Sequence, residues 1–121
     1  MAHDDKLNLS LSKVKAFCEE RDWDQFHDAK ELAIALSIEA SELLELFRWK
    51  SPEEVRAVMA DEARSKKVEQ EMADVFFFLL RMAQLYDIDL GNALQEKIRD
   101  NEARYPAEKF KGSNRKYSDP E

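Results

Sequence analysis

Two acidic pairs set into apolar helical stripes constrain this chain more than any other feature. In "SIEASELLEL" (37–46) the leucines and isoleucines keep helical spacing, yet Glu39 and Glu42 interrupt them. At about 100° of turn per residue, Leu32, Leu36, Leu43 and Leu46 all fall within about 60° of Glu39. "VEQEMADVFFFLLRMAQLY" (68–86) repeats the device. Val68, Val75, Phe78 and Met82 lie within about 60° of Glu71, and Asp74 sits at the edge of that stripe as Glu42 does beside Glu39. Burying an unpaired carboxylate costs several kcal/mol. A fold that contains these helices must therefore compensate the acids.

If the two helices pack together, Glu39, Glu42, Glu71 and Asp74 converge. Like charges that close cannot all stay ionised without a cation. Protonation, or pairing with Arg48 or Arg81, would serve for either pair alone. Two pairs, each centred in an apolar stripe, favour a metal site. Neither pair contains a histidine, and the chain has only His3 and His27. An all-oxygen ligand set selects a hard cation, Mg²⁺, with Mn²⁺ the alternative. Magnesium commonly binds alongside the phosphates of a substrate.

The rest of the composition narrows the class. With 2 Gly and 3 Pro among 121 residues, an all-α chain is expected. We read residues 1–121 as one domain, an antiparallel helical bundle with the active site between helices. Segments 1–8 and 106–121 read as loose tails, the latter a candidate for substrate contact. The net charge of −7 argues against binding duplex nucleic acid. A single cysteine, Cys18, excludes an internal disulfide. No segment is apolar enough for a signal peptide or membrane span, so a cytoplasmic protein is expected. Charge is uneven: residues 1–96 carry a net −9, residues 97–117 a net +4. Lys97, Arg104 and Lys116 in that basic segment are candidates to hold phosphates.

Boundary signals predict five helices: Leu9 to Arg21, Ala29 to Trp49, Pro52 to Ala60, a long one ending near Tyr86, and Leu90 to Arg104. Asp28, Ser51 and Asp89 serve as N-caps, with Glu31 and Glu54 closing capping boxes after the first two. "RDWDQFHD" between the first two helices reads as a loop. "VFFFLL" (75–80) is apolar around the whole helix, which implies burial on all sides and hence a partner subunit. Phe17, Phe47, Phe76 and Phe77 are assigned to core or interface.

At this point the chain resembles a known family. "EASE" (39–42) and "EMAD" (71–74), separated by 28 residues, match the E-x-x-E…E-x-x-D pattern of the MazG-like all-α nucleoside triphosphate pyrophosphohydrolases. "ERDWDQFH" (20–27), "ELFRWK" (45–50), Lys97, Asn101, "RYP" (104–106) and "RKY" (115–117) are similar to its dCTP pyrophosphatase branch. The resemblance implies Mg²⁺-dependent conversion of a dNTP, dCTP or a modified dCTP, to dNMP and pyrophosphate, which cleans the nucleotide pool. It implies a homodimer or homotetramer. By that match Glu39, Glu42, Glu71 and Asp74 correspond to metal ligands, and Trp23, His27 and Trp49 to base and substrate contacts. Lys97 and Asn101 match substrate-side positions; Phe26, Arg104, Tyr105 and Lys116 lie in the matching segments. Two positions depart: Phe78 stands where the branch often has a tyrosine, and Val14 where it has a histidine.

Glu42 is the expected general base, with Glu45 its rival one turn on. Trp23 lies in a polar loop where no helical period demands it. Trp49 is expected about 20° from Glu42 at the end of its helix. Two such rings could stack on a flat base. His27, or a backbone group near Gln25, could read the base edge. The competing class is a non-catalytic helical oligomer that binds nucleotides or a protein.

Overall fold

The computed structural model describes the backbone of residues 2–120 and the side chains of residues 6–120. Among these residues every regular element is helical. Helix α1 spans Ala2–Glu20, and a 3-10 turn follows at Asp24–Phe26. Then come α2 (Ala29–Glu45), α3 (Pro52–Ala60), α4 (Glu62–Leu85), α5 (Leu90–Arg104) and the short α6 (Ala107–Phe110).

The caps explain most of the boundaries. Asp28 accepts the Glu31 N–H at 2.7 Å and opens α2. Ser51 and Glu54 form the full reciprocal box, at 3.2 Å in both directions, with Pro52 at the first turn of α3. Asp61 accepts from Arg64 and Asp89 from Asn92, opening α4 and α5. Each such cap contributes about 1 kcal/mol. Two expected boundaries shift. Helix α1 begins at Ala2, so the segment read as a loose tail at 1–8 is helical from there; Met1 lies outside the described residues. Helix α2 ends at Glu45 instead of near Trp49, because the chain unwinds through a series of turns to reach α3.

The chain divides into two compact units, Met1–Asp87 and Ile88–Glu121, where the sequence reading treated it as one domain. In the first, α4 packs chiefly on α2 and also on α1 and α3. Its buried apolar residues are Cys18, Leu32, Val58, Val68, Leu80 and Ala83. Burying each of the larger ones, Leu32, Val58, Val68 and Leu80, contributes about 1.5–3 kcal/mol. Arg81, also fully buried, hydrogen-bonds His27 just before α2, while Leu46 just past α2 lines a cavity with Arg64 and Lys67 early in α4. Contacts descend one helix as they ascend the other, so α2 and α4 run antiparallel. In the second unit Tyr105 packs edge-on against Phe110 at 4.8 Å and Tyr117 at 5.7 Å. Arg104 lies over the Tyr117 ring and Arg115 over that of Phe110.

Candidate functional site

The antiparallel crossing of α2 and α4 brings the acids of their two apolar stripes together. One carboxylate oxygen from each of Glu39, Glu42 and Glu71 lies within 4.8 Å of the others. Glu39 and Glu71 are half-buried, and Glu42 is exposed at the rim. The Oε2 atoms of Glu39 and Glu71 are buried without a hydrogen-bond partner. Buried polar atoms without partners are rare in folded proteins and call for a ligand, water or ion.

Electrostatics record the same crowding. Glu39 is pushed up to about 7, first by burial, then by its hydrogen bond with Glu42 and the charges of Glu42, Asp74 and Glu71. Glu71 is also raised, by burial and then by the charges of Glu42 and Asp74; Lys67 only partly offsets this. A divalent cation would reverse both shifts. Three carboxylates, all-oxygen and converging, fit a hard cation. Asp74 stands outside the three-residue group, one turn along α4, yet its charge reaches both raised acids.

Asp74 and Glu39 also edge a cavity of about 500 Å³ walled by Lys13, Val14, Phe17, Trp23, Phe77 and Phe78. Trp23 meets Phe17 edge-on at 5.5 Å, and Phe17 meets Phe77 in the same way at 5.8 Å. The lining is thus mostly aromatic and apolar, with two acids and one lysine among it. Sequence reasoning missed Lys13, on the exposed side of α1, and placed Phe17 and Phe77 in core or interface. No local signal marks such residues, because the cavity exists only once α1 lies on α4. Both departures from the branch pattern, Val14 and Phe78, line this cavity.

Other candidates sit elsewhere. His27 Nδ1 accepts a hydrogen bond from Arg81 Nε at 3.0 Å, and burial followed by the Arg81 charge lowers its pKa from 6.5. It packs behind Trp23, ring centroids 6.3 Å apart. Phe26 is exposed in the 3-10 turn. Trp49 is 87% exposed in a left-handed conformation (φ 64°), with the Arg48 guanidinium 5.0 Å from its ring. The expected position of Trp49 beside Glu42, at the end of a continuous helix, is corrected by the unwinding after Glu45. Glu45 pairs with Arg48 at 3.4 Å and shares a shallow cavity with Ser37, Ser41 and Glu42. Arg81, offered above as a partner for the acids, instead binds Asp24, His27 and Gln84. Lys97, Asn101, Arg104, Tyr105 and Lys116 all belong to the second unit, where the Lys116 N–H donates to Asp119 at 2.8 Å. No helix among the described residues is long and apolar enough to cross a membrane.

Comparison with known proteins gives a consistent set of likenesses. A family model described as the MazG-like family matches residues 34–119. The dCTP pyrophosphatase 1 of Rattus norvegicus is 38% identical over 103 residues, which is 85% of this chain and 61% of that protein. The Homo sapiens protein of the same name is 37% identical with the same coverage. The chain therefore spans about three fifths of the length of the curated relatives it matches. The crystal structure of a pyrophosphatase from Archaeoglobus fulgidus aligns with a TM-score of 0.76 at 37% identity, over 86% of this chain and 93% of that one.

Proposed function

The chain belongs to the MazG-like family, and on that premise we propose that it is a divalent-metal-dependent nucleoside triphosphate pyrophosphohydrolase. Its substrate is a dNTP of the dCTP class, dCTP itself or a modified form, cleaved to dNMP and pyrophosphate. The observation that carries this reading is the Glu39–Glu42–Glu71 convergence, with two buried oxygens lacking partners beside an aromatic cavity.

Glu39, Glu42 and Glu71 would hold the ion, with Asp74 completing the acidic wall. When bound, Mg²⁺, or Mn²⁺ as the alternative, supplies neutralising charge to phosphate oxygens and a lowered pKa to a ligated water. The protein's own residues do the rest. Water attacks the α-phosphorus in line, the bond to the β-phosphate oxygen breaks, and pyrophosphate leaves. The proton of that water passes to a carboxylate oxygen of Glu42, which is exposed at the rim of the cluster; Glu45 is the rival base, held toward Arg48. Trp23, Phe17 and Phe78 offer apolar faces for the base. By the family likeness Lys97, Arg104 and Lys116 are assigned to the substrate phosphates, Asn101 and Tyr105 to the substrate side, and Phe26 and His27 to the base side; Trp49, turned outward and 87% exposed, keeps no such assignment.

The active form is assigned as a homodimer or homotetramer. "VFFFLL" is not covered within one chain: Phe76 and Leu79 stay exposed and, with Leu43, Met72 and Val75, line an apolar hollow of about 560 Å³. A stable, active monomer in light scattering at micromolar concentration would refute the assembly. The activity is tested by pyrophosphate release from a dNTP panel in Mg²⁺ and in EDTA. Release in Mg²⁺ that EDTA abolishes is expected; no turnover of any nucleotide would overturn the hydrolase.

A further inference from the structure

Arg81 is the one charged side chain among the described residues that is fully buried. It lies on α4, about three turns beyond Glu71, and its hydrogen bonds go to His27, Gln84 and Asp24, outside the acidic cluster. All three of its guanidinium nitrogens are used. Nε donates to His27 Nδ1 at 3.0 Å, one terminal nitrogen donates to Gln84 in the next turn of α4, and the other to Asp24. Two of these links span 54 and 57 residues of sequence. They grip both ends of the segment Asp24–His27, which immediately follows Trp23.

That segment is stitched to itself by short-range bonds. The Phe26 N–H donates to the Trp23 carbonyl at 2.9 Å, and the His27 N–H to the Asp24 carbonyl at 3.1 Å. Gln25 Nε2 donates to the Asp22 carbonyl at 3.0 Å. These bonds shape the turn but do not orient it on α4. The guanidinium does, because its planar fork presents donors in fixed directions and lets little of their geometry vary. A buried cation is tolerated only where its donors are satisfied, so the loop and the arginine hold each other in one arrangement.

Trp23 is the residue this arrangement displays. It lines the cavity with Glu39 and Asp74, packed edge-on between Phe17 and His27. We infer that Arg81 is a positioning residue for substrate: it clamps the Asp24–His27 turn to α4 so that the Trp23 ring is preset at the wall of the cavity. The inference rests on the pyrophosphohydrolase reading for its substrate and on geometry alone for its clamp. His27 acts within it as a buttress, its Nδ1 committed to Arg81.

Two variants loosen the clamp from opposite sides: Arg81→Met removes the fork, and Asp24→Asn weakens the grip while keeping the arginine. Asp24→Asn keeps the test decisive should Arg81→Met fail to fold. Two readouts separate the clamp from the catalytic reading. In a Trp49→Phe background, Trp23 is the sole tryptophan, and its acrylamide quenching should rise roughly twofold in either variant with helicity retained. With Trp49 in place, KM for dCTP should rise about tenfold while kcat stays within about twofold, as expected when a preset binding surface is lost without change to the reacting groups. Arg81→Lys, with one ammonium in place of the fork, should fall between. Unchanged quenching in well-folded variants would overturn the clamp whatever the enzyme does. Increased quenching with unchanged KM would overturn its role toward substrate. Absence of turnover in the parent protein would sink the hydrolase reading, and quenching alone would then decide the clamp.

Discussion

At the C-terminal half of α4 a fully buried guanidinium has a partner for each of its nitrogens, whereas about three turns earlier Glu71 joins two other carboxylates and leaves buried oxygens with none. Both regions bury charge against α4, the acids between it and α2, the guanidinium between it and the Asp24–His27 turn. The first is complete as it stands: opposite charge and hydrogen bonds offset the loss of water. The second is incomplete, since burial, and after it the neighbouring like charges, drives two acids toward protonation. Complete charge burial fixes structure; incomplete charge burial marks the place of a ligand. The two regions should therefore answer mutation and pH in opposite ways.

The largest contrast is in activity. Glu71→Gln or Glu39→Gln should lower turnover by at least about two orders of magnitude, because the hard-ion ligand set is broken. The same change should leave the metal-free fold as stable or more so, since an amide relieves repulsion among the acids. Activity near wild type in Glu71→Gln would remove the metal assignment. Trp23→Ala comes next. It should cost about 5- to 150-fold in kcat/KM across the dNTP panel, the scale of about 1–3 kcal/mol for base stacking on an aromatic ring. If every dNTP is unaffected, the ring belongs to the loop and not to the substrate.

At the other end the sign of the stability change reverses. Asp24→Asn leaves Arg81 buried with a weakened partner and should destabilise the protein by about 1–3 kcal/mol in denaturant unfolding. A neutral or stabilising outcome would show that the two regions of α4 do not respond oppositely.

The smallest effect is in pH. Glu39 is raised in the folded, metal-free protein, so the fold binds more protons than the unfolded chain between about 4.5 and about 7. Its contribution is present at the acid end of that window and is lost as pH rises through about 7. His27 is lowered from 6.5, with Arg81 and Asp24 the charges facing it, so its contribution runs the other way and fades on acidification below 6.5. Unfolding curves in EDTA should show Glu39→Gln reducing the loss toward pH 7, with the share of the raised Glu71 remaining, and leaving the acid limb in place. A pH profile identical to wild type would contradict the raised carboxyl.

Much of this was legible in the residues alone. The 3.6-residue period placed Glu39 and Glu71 inside their stripes, and Asp28, Ser51 and Asp89 announced their helices, because periodicity and capping are local and act through neighbours three or four positions away. That is why the convergence of Glu39, Glu42 and Glu71 could be expected before any packing was known. Trp49 shows the limit. Nothing in "ELFRWK" breaks a helix, yet the chain leaves α2 at Glu45 and turns Trp49 outward, a path dictated by the need to lay α3 against α4. Arg81 shows it more fully. By spacing it could have neutralised the acids; only the folded arrangement carries Asp24 and His27 across 57 and 54 residues to meet it. A charge chooses its partner by distance in space, and that distance is set when α1, the turn and α4 come together, not by the sequence around the charge.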